Sequence, residues 1–170
     1  GTKQLEQLLD RGIDPLNLFA DQETAISFSG RLNNPAVLEI LLAKVQPGSE
    51  KQLEAAKQQA LYHACLHGHG AMIRHLVGQL SVEPNLSFSS TSGGVTRVVL
   101  NLPQDLETYT PLSLTVEHGD RESVRFLLES GAKVRGRTRS AESPFVFAIT
   151  RRRYDLIDLF LEFDVSLGSE

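Results

Sequence analysis

The chain has 170 residues, of which 41% are hydrophobic and 22% charged, and its formal net charge is −4 at pH 7. This balance is typical of a water-soluble folded domain and argues against general nucleic-acid binding. The single cysteine, Cys65, excludes an intramolecular disulfide framework, and we expect an intracellular protein, cytoplasmic or nuclear. No apolar run approaches the roughly 20 residues of a membrane span, so no membrane partner is expected.

One pattern of residues recurs along the chain. Its clearest copy, TPLSLTVEHGDRESVRFLLESGAKV, starts at Thr110, and SPFVFAITRRRYDLIDLFLEFDV starts 33 residues later at Ser143. The same template fits from Thr24 and from Gln59, whereas QLEQLLDRGIDPL, from Gln4, matches only its second half. The 51 residues between Gln59 and Thr110 correspond to one repeat and an insertion of about 18 residues.

Each full copy predicts a pair of helices. Thr110 and Ser143 are placed to accept hydrogen bonds from the first turn of a helix, and the prolines that follow them fit its first position. Asp120 caps the next helix in the same way, and Asn34 followed by proline is a cap signal in an earlier copy. Gly131 suits the left-handed position that ends a helix. The apolar faces of such helices are buried only when the copies stack.

The copy that begins at Gln59 lacks the Thr-Pro start. The residues from Ser49 to Leu66, SEKQLEAAKQQALYHACL, hold strong helix formers and neither glycine nor proline. They predict either one lengthened first helix capped at Ser49 or a separate short helix in a linker, and the sequence leaves both alternatives open.

The insertion follows Asn85 and reads LSFSSTSGGVTRVVLNLPQDLE. Alternating apolar residues on both sides of Ser92-Gly93-Gly94 predict a β-hairpin. A partner-specific arm and a mobile surface loop both fit an insertion of this length. The apolar side chains of Val98 and Leu100 favour the arm, because an isolated hairpin would leave them uncovered.

The repeated segments resemble the ankyrin repeat, whose pattern is T-P-L-H-x-A-A, two variable positions, G-H, an apolar helix and L-L-x-x-G-A-D-V-N. The matching residues are Thr110-Pro111-Leu112, His118-Gly119-Asp120, Leu127-Leu128, Gly131-Ala132 and Gly68-His69. The resemblance implies an all-α solenoid of about four and a half ankyrin repeats, with a β-hairpin-like insertion in the finger, or loop, between repeats three and four. As a single domain, residues 1–170, the chain divides into a half repeat (1–18), repeats at 19–48 and 49–85, the insertion (86–104), and repeats at 105–137 and 138–170.

The run YHACLHGHGAMIRH, residues 62–75, holds four of the five histidines and suggests a metal site. The repeat register argues against one, because His69 fills the Gly-His turn and His63 an apolar slot of the first helix. Only His63 and His67 lie on one face, and two ligands are too few for structural zinc. We expect no metal and no cofactor. Cys65 fills a small-residue core position, and no nucleophile, phosphate-loop or metalloprotease motif is present, so we expect no enzyme.

In ankyrin repeats, partners usually meet the finger tips and the concave ends of the first helices. Tyr109 is the strongest single anchor, because aromatic contacts dominate interface energies. The positions implied here are Asp21, Glu23, Arg31, Leu32, Leu66, His67, Glu107, Tyr109, Glu117, His118, Arg139, Glu142, Thr150 and Arg151.

Arginines concentrate near the end of the chain. Arg135, Arg137 and Arg139 alternate along the finger between repeats four and five, and Arg151 lies at the end of the first helix in repeat five, with Arg152 and Arg153 in the adjoining turn. They form either a basic patch for an acidic or phosphorylated partner, or a solvated surface balanced by nearby acids. Direct nucleic-acid binding is not expected, because no stacking aromatics interleave with the arginines.

The resemblance implies a non-catalytic module that binds a partner protein or peptide along its concave groove and fingers. The alternative is a structural or regulatory segment of a larger enzyme, receptor or channel, whose ends pack on further chain. This alternative is favoured by the half-repeat start and by a last helix that reads as apolar all round. Its apolar residues are Leu156, Ile157, Leu159, Phe160, Leu161 and Phe163.

Overall fold

A computed structural model describes residues 2–18, 23–90, 96–98, 108–134 and 143–165. In this part the chain is mostly helical. The helices are α1 (Thr2–Asp10), α2 (Ala25–Ser29), α3 (Pro35–Leu42), α4 (Glu50–Leu66), α5 (Gly70–Arg74, continued by a π-helical turn at His75–Gln79), α6 (Pro111–His118), α7 (Arg121–Glu129), α8 (Pro144–Thr150) and α9 (Ile157–Val165, preceded by a 3₁₀ turn at Tyr154–Leu156). The strands are β1 (Phe88–Ser90), β2 (Thr96–Val98) and β3 (Thr108–Tyr109).

The helices stack in two rows. The first-helix row contains α2, α4, α6 and α8, each in contact with the next. The second-helix row contains α1, α3, α5, α7 and α9, in which α1 contacts α3 and α5 contacts α7. Ile26, Leu61 and Leu112 occupy the same position in successive copies of the repeat, and all three are fully buried. The core therefore runs along the stack, as the sequence pattern predicts.

Several predicted caps are confirmed. The Thr110 hydroxyl accepts a hydrogen bond from the Ser113 backbone N–H at 3.1 Å, and the Ser113 hydroxyl accepts one from the Thr110 N–H at 2.9 Å. Thr24, for which no cap was predicted, forms the same capping box on α2. Asp120 accepts from the Ser123 N–H at 2.7 Å, and Ser143 accepts from the Val146 N–H at 3.3 Å. Each cap satisfies a donor that the first helical turn leaves unpaired.

Two other predicted caps are wrong. Asn34 precedes α3 but makes no side-chain capping bond, and its backbone lies at φ −139°, ψ 88°, outside the usual cap geometry. Ser49 precedes α4 without a side-chain capping bond as well. There the Glu50 carboxylate accepts a hydrogen bond from the Gly48 N–H at 3.2 Å instead. The first turn of α3 needs less capping, because Pro35 removes one donor.

Three helices end in the same left-handed turn. The residue that follows each helix cap has a positive φ, which is +67° at Gly68, +89° at Gly131 and +57° at Arg152. After α7, for example, the Gly131 N–H donates to Leu128 O at 3.0 Å and the Ala132 N–H to Leu127 O at 2.9 Å. This is the Schellman arrangement, which pairs the last carbonyls of a helix. Gly131 was predicted at such a turn, whereas Arg152, which follows the first helix of the last copy, was not.

α4 is one continuous helix of 17 residues, which is the first of the two alternatives left open by the sequence. Its aromatic side chain Tyr62 contacts the fully buried Phe88 of β1, with ring centroids 5.3 Å apart and an edge-to-face angle. β2 also contacts α4. The lengthened helix therefore supports the small sheet that follows repeat three.

The sheet has the strand order β2-β1-β3. β1 pairs antiparallel with β2, with Phe88 opposite Val98, and antiparallel with β3, with Phe88 opposite Tyr109. β1 and β2 lie within the sequence predicted to form the insertion, while residues 91–95, which join them, lie outside the described residues. Asn85, just before the sheet, ties the stack together: its amide donates to Gly131 O at 2.9 Å and accepts from the Lys133 N–H at 2.9 Å.

The second helix of repeat three contains a π-helical turn, closed by the Leu80 N–H donating to His75 O at 3.1 Å. In α7, four positions separate Leu127 from the left-handed Gly131, whereas five separate Leu76 from the left-handed Ser81. Repeat three thus carries one extra residue, and the wider turn accommodates it without moving Leu76 out of the core.

The last helix differs from its prediction as apolar all round. Leu156, Leu159 and Phe160 are buried within the stack, and Leu161 is half exposed. On the polar side of α9, Arg121 of α7 donates to both carboxylate oxygens of Asp158 at 2.8 Å, and Arg125 reaches Glu162 at 3.3 Å. Most of the apolar surface of α9 is therefore covered by the chain itself. None of the described helices combines the length and the apolar character needed to cross a membrane.

Candidate partner-binding site

Four side chains mark the ends of the first helices. Leu32, His67, His118 and Arg151 occupy the same repeat position after α2 and at the ends of α4, α6 and α8, and all four are exposed. We call this set the helix-end surface. Since the first helices stack in register, one position repeated in four copies produces a continuous row.

A carboxylate lies beneath the start of this row. Glu23 Oε1 accepts from Arg31 Nη2 at 2.6 Å and from His63 Nε2 at 2.9 Å. The Glu23 side chain is only 19% exposed, whereas Arg31 is 41% exposed and lies over the ring of Phe28 with 5.0 Å between Cζ and the ring centroid. Glu23 was predicted to contact a partner, but its Oε1 is already bound by two side chains of the chain itself.

The buried ring of His63 favours the neutral form. Burial lowers the pKa of His63, and repulsion from Arg31 adds to this effect, while attraction by Glu23 opposes it. Because the Glu23 carboxylate can only accept, Nε2 carries the proton. Nδ1 is buried and has no hydrogen-bond partner among the described residues, so a second proton would be left unpaired there.

His67 and His69 lie together in the turn after α4. Their rings stack with centroids 5.7 Å apart, and His69 Nε2 donates to Arg31 O at 2.9 Å. The pKa of His67 is lowered first by partial burial and then by repulsion from His69, Arg31 and His118. His67 is therefore an exposed ring with two other histidines and an arginine close to it.

The far end of the row repeats the arrangement. Glu117 receives Arg151 Nη1 at 3.1 Å and lies 3.6 Å from His118 Nε2. Arg151 also covers the ring of Phe147, with 4.9 Å between Cζ and the ring centroid. Thr150, which was predicted as a contact residue, is exposed, and its hydroxyl donates to Phe147 O at 3.0 Å. Leu66 is partly buried.

Arg153 differs from its neighbours because the chain uses it internally. Its Nη1 donates to Val116 O at 2.8 Å and to Gly119 O at 3.1 Å, which caps the end of α6. Its other guanidinium nitrogens bind Asp155, which lowers the pKa of that carboxyl group. Among the described residues, the predicted basic patch therefore reduces to Arg151 and Arg152.

Tyr109, predicted as the main anchor, lies in β3 at the base of the sheet and is partly buried against the core. Val98 lies in β2, where its backbone pairs with Phe88. The remaining predicted contact residues lie outside the described residues: Asp21, Leu100, Glu107, Arg135, Arg137, Arg139 and Glu142.

Metal and thiol chemistry find little support in the geometry. The part of the chain that the structure describes contains no group of three or more His, Cys, Asp or Glu side chains suited to a metal ion. His75, on the second-helix row, binds Glu39 at 2.5 Å. Burial raises the pKa of the Cys65 thiol to about 12 despite a hydrogen bond with Thr115. A thiol that stays protonated is a poor nucleophile.

Sequence reasoning missed two features of this surface. Phe28, half exposed under Arg31, and Phe147, under Arg151, share one repeat position, so the register could have indicated them. His69 was assigned only to the turn, and its stacking on His67 depends on side-chain geometry that the repeat pattern does not specify.

Comparison with known proteins identifies the repeat. Residues 108–139 match the family model of the ankyrin repeat. These residues include α6, α7 and the turn between them, which reappear in the stacked pairs of the other copies. No curated protein matches the chain. The chain is therefore a repeat protein containing an ankyrin repeat, a unit that generally serves as a non-catalytic protein-binding module.

Proposed function

We propose that this ankyrin-repeat chain is a non-catalytic module that binds a partner protein or peptide along the groove formed by its first helices. The observation that carries the proposal is the helix-end surface, where four successive copies expose the same position. Phe28 and Leu32 add exposed apolar surface at one end, and Arg31 and Arg151 add charge. Apolar contacts surrounded by oriented polar groups are the usual composition of a recognition surface. We place the module in the cytoplasm or nucleus, in keeping with its single buried cysteine.

A matched pair of substitutions tests where the partner binds. Leu32→Glu changes a side chain that is 43% exposed on the helix-end surface, and Leu8→Glu makes the same change at 47% exposure on α1, in the second-helix row. In affinity purification with cross-linking, the unaltered chain and the Leu8→Glu variant should recover the same partner proteins, and the Leu32→Glu variant should fail to recover them. Equal recovery with both variants, at equal helicity by circular dichroism, would contradict the proposal.

We also propose that the insertion forms a hairpin arm that adds contacts with the same partner. The antiparallel pairing of β1 with β2, and the packing of Phe88 on Tyr62, support a fixed base for such an arm. Since Phe88 is fully buried, a deletion that includes it would damage the core. Replacing residues 91–95 by Asn-Gly keeps the strands and shortens only the tip. A shortened chain that recovers every partner with unchanged yield would show that the tip is not a contact arm.

The three predicted arginines of the finger between repeats four and five, Arg135, Arg137 and Arg139, remain part of this proposal as a site for an acidic or phosphorylated segment. Two observations support this site: the sequence of the finger, and the exposed side chain of Arg151. Reversal of charge at both Arg139 and Arg151 should weaken partner binding. Intact binding in that double variant would show that the arginines of this finger are not part of the binding site.

A second candidate function is a segment whose end packs on further chain of a larger protein. Ile149 is 46% exposed, whereas Cys65 and Val116, at the same position of the two preceding copies, are 0% exposed beneath the next helix. The outer face of α8 therefore has the composition of a buried contact. Light scattering coupled to size exclusion discriminates between the candidates, because a stable monomer favours the free module and self-association favours a missing neighbour.

A further inference from the structure

We propose that the helix-end surface binds an acidic peptide segment, with carboxylates facing His67 and His118, and that this binding strengthens as the pH falls from 8 to 6. The inference rests on the proposed function, since it specifies the partner of the same surface.

The carboxylates of this surface are already neutralised. Glu23 is shared between Arg31 and His63, and Glu117 lies between Arg151 and His118. With neutral histidines, the two arginines balance the two glutamates. Each histidine that gains a proton then adds one uncompensated positive charge. Protonation of His67 therefore makes the surface that a partner meets more positive.

The histidines are close enough to act together. His67 stacks on His69, and the pKa of His67 is depressed partly by repulsion from His69, Arg31 and His118. Other charged groups nearby are already engaged: His63 with Glu23, and Asp120 with the Ser123 N–H. An anion placed over His67 and His118 replaces repulsion at His67 by attraction, so it raises the pKa of His67 in the complex.

The spacing of the helices indicates the spacing of the acids. His67 and His118 end neighbouring helices, and packed helices lie about 8–10 Å apart. In an extended polyproline-type segment, side chains three residues apart lie on the same side and about 9 Å apart. We therefore expect two carboxylates at positions i and i+3, with an apolar residue toward Phe28 and Leu32, which are exposed at the α2 end.

The sign of the pH effect follows from linkage. A ligand that raises a histidine pKa binds more tightly below the pKa of the free ring, and this gain is lost as the pH rises through the pKa of the bound ring. A rise of one pKa unit corresponds to about a ten-fold gain in affinity for each histidine. That ten-fold gain is the limit reached well below the pKa of the free ring, and because the pKa of His67 is lowered from 6.5, the gain in affinity on moving from pH 8 to pH 6 is several-fold rather than ten-fold.

The test uses an array of capped nonapeptides with one leucine and two aspartates spaced two, three or four residues apart, and a second array with asparagine in place of aspartate. Binding is measured at pH 6 and pH 8 for the unaltered chain, His67→Asn/His118→Asn and Leu32→Glu. Lys3→Asn/Lys51→Asn serves as the control, because it removes two exposed cations elsewhere. Circular dichroism at both pH values checks folding.

We expect the aspartate peptides, and most strongly those with three-residue spacing, to bind the unaltered chain and the lysine control several-fold more tightly at pH 6 than at pH 8. The histidine double variant should lose this dependence. Equal binding of asparagine peptides, or a pH dependence that survives in the double variant, overturns the acidic-segment inference while Leu32→Glu still reports groove recognition. If no peptide depends on Leu32 at either pH, the proposed groove itself fails.

Discussion

Gly68 combines two requirements at one residue. Its φ of +67° lies in the left-handed region, and a Cβ atom added there would lie within 2.2 Å of His118 O on the next first helix. The first requirement ends α4, and the second allows α6 to pack close to it. Because glycine has no Cβ atom, it meets both requirements, the left-handed turn and the close stacking of repeats three and four.

Replacing Gly68 by alanine should reduce the free energy of unfolding by about 3 kcal/mol. Roughly 1–2 kcal/mol comes from the left-handed backbone and the rest from the clash. Gly131→Ala is the matched control, because Gly131 has a φ of +89° and no atom within 4 Å of an added Cβ. It should lose only about 1–2 kcal/mol. Urea denaturation measures both changes, and equal losses would show that the close approach to α6 costs nothing.

Residue-level prediction succeeded where the backbone geometry follows from the local sequence. Thr110, Asp120 and Ser143 cap their helices because each has a ψ between 147° and 165°, which directs its side-chain oxygen to the first turn. Asn34 has the right side chain but another backbone geometry, so its cap signal was wrong. Composition alone does not fix ψ at a helix start, and ψ decides whether the side chain reaches an N–H.

At the scale of elements, the second helix of repeat three shows how the fold accommodates an added residue. The π-helical turn at His75–Gln79 lets Leu76 and Val82 both remain buried. Gly78 is exposed within this turn. The sequence register already contained the extra residue, but it did not indicate whether the helix or the following loop would take it up.

Deletion of Gly78 should therefore be tolerated, because it converts the π-helical turn into an α-helical one of the length found in α7. We expect the free energy of unfolding to change by less than about 1 kcal/mol. Deletion of Glu129, an exposed residue near the end of α7, is the control, since no extra residue exists there. The residues after it rotate by about 100°, and the loss should exceed about 3 kcal/mol. Similar losses in both, measured by urea denaturation, would mean that the π-helical turn is required.

At the scale of the whole molecule, polar pairs join one repeat to the next. His63 binds Glu23 across repeats two and three, His75 binds Glu39, and Arg121 binds Asp158 across repeats four and five. The repeat pattern predicted the two rows of helices and the exposed positions, but not these pairs. Each pair depends on which side chains two different copies carry, and a shared template contains no such information.

The His63 pair predicts the pH dependence of stability. Because burial lowers the pKa of His63 in the folded chain below its ordinary value of 6.5, the unfolded chain takes up a proton first as the pH falls. The contribution of neutral His63 is therefore complete above pH 6.5 and is lost on acidification toward the folded pKa. The next copy of the repeat has a leucine, Leu114, at the position of His63. A His63→Leu variant should therefore show a smaller decline in the free energy of unfolding between pH 7 and pH 5.

Urea denaturation at pH 7, 6 and 5 measures this slope. His67→Asn is the control, because its ring also has a lowered pKa but is exposed, so its effect should be smaller. The pKa values of Asp120 and Asp155 are lowered from 3.8, which places their contributions below this pH range. A slope unchanged in His63→Leu would show that the buried histidine is not the group responsible.

The sheet at the end of repeat three has a consequence for how the molecule can change. β2 and β3 flank β1, and Val98 and Tyr109 both lie opposite Phe88, so Val98 and Tyr109, which flank residues 99–107 and Thr108, lie about 10 Å apart. The entropy of closing a loop rises only slowly with its length, and folded domains often have ends this close. Evolution, or a protein engineer, can therefore exchange this segment for a longer one, even a second domain, while α4 and α6 remain stacked.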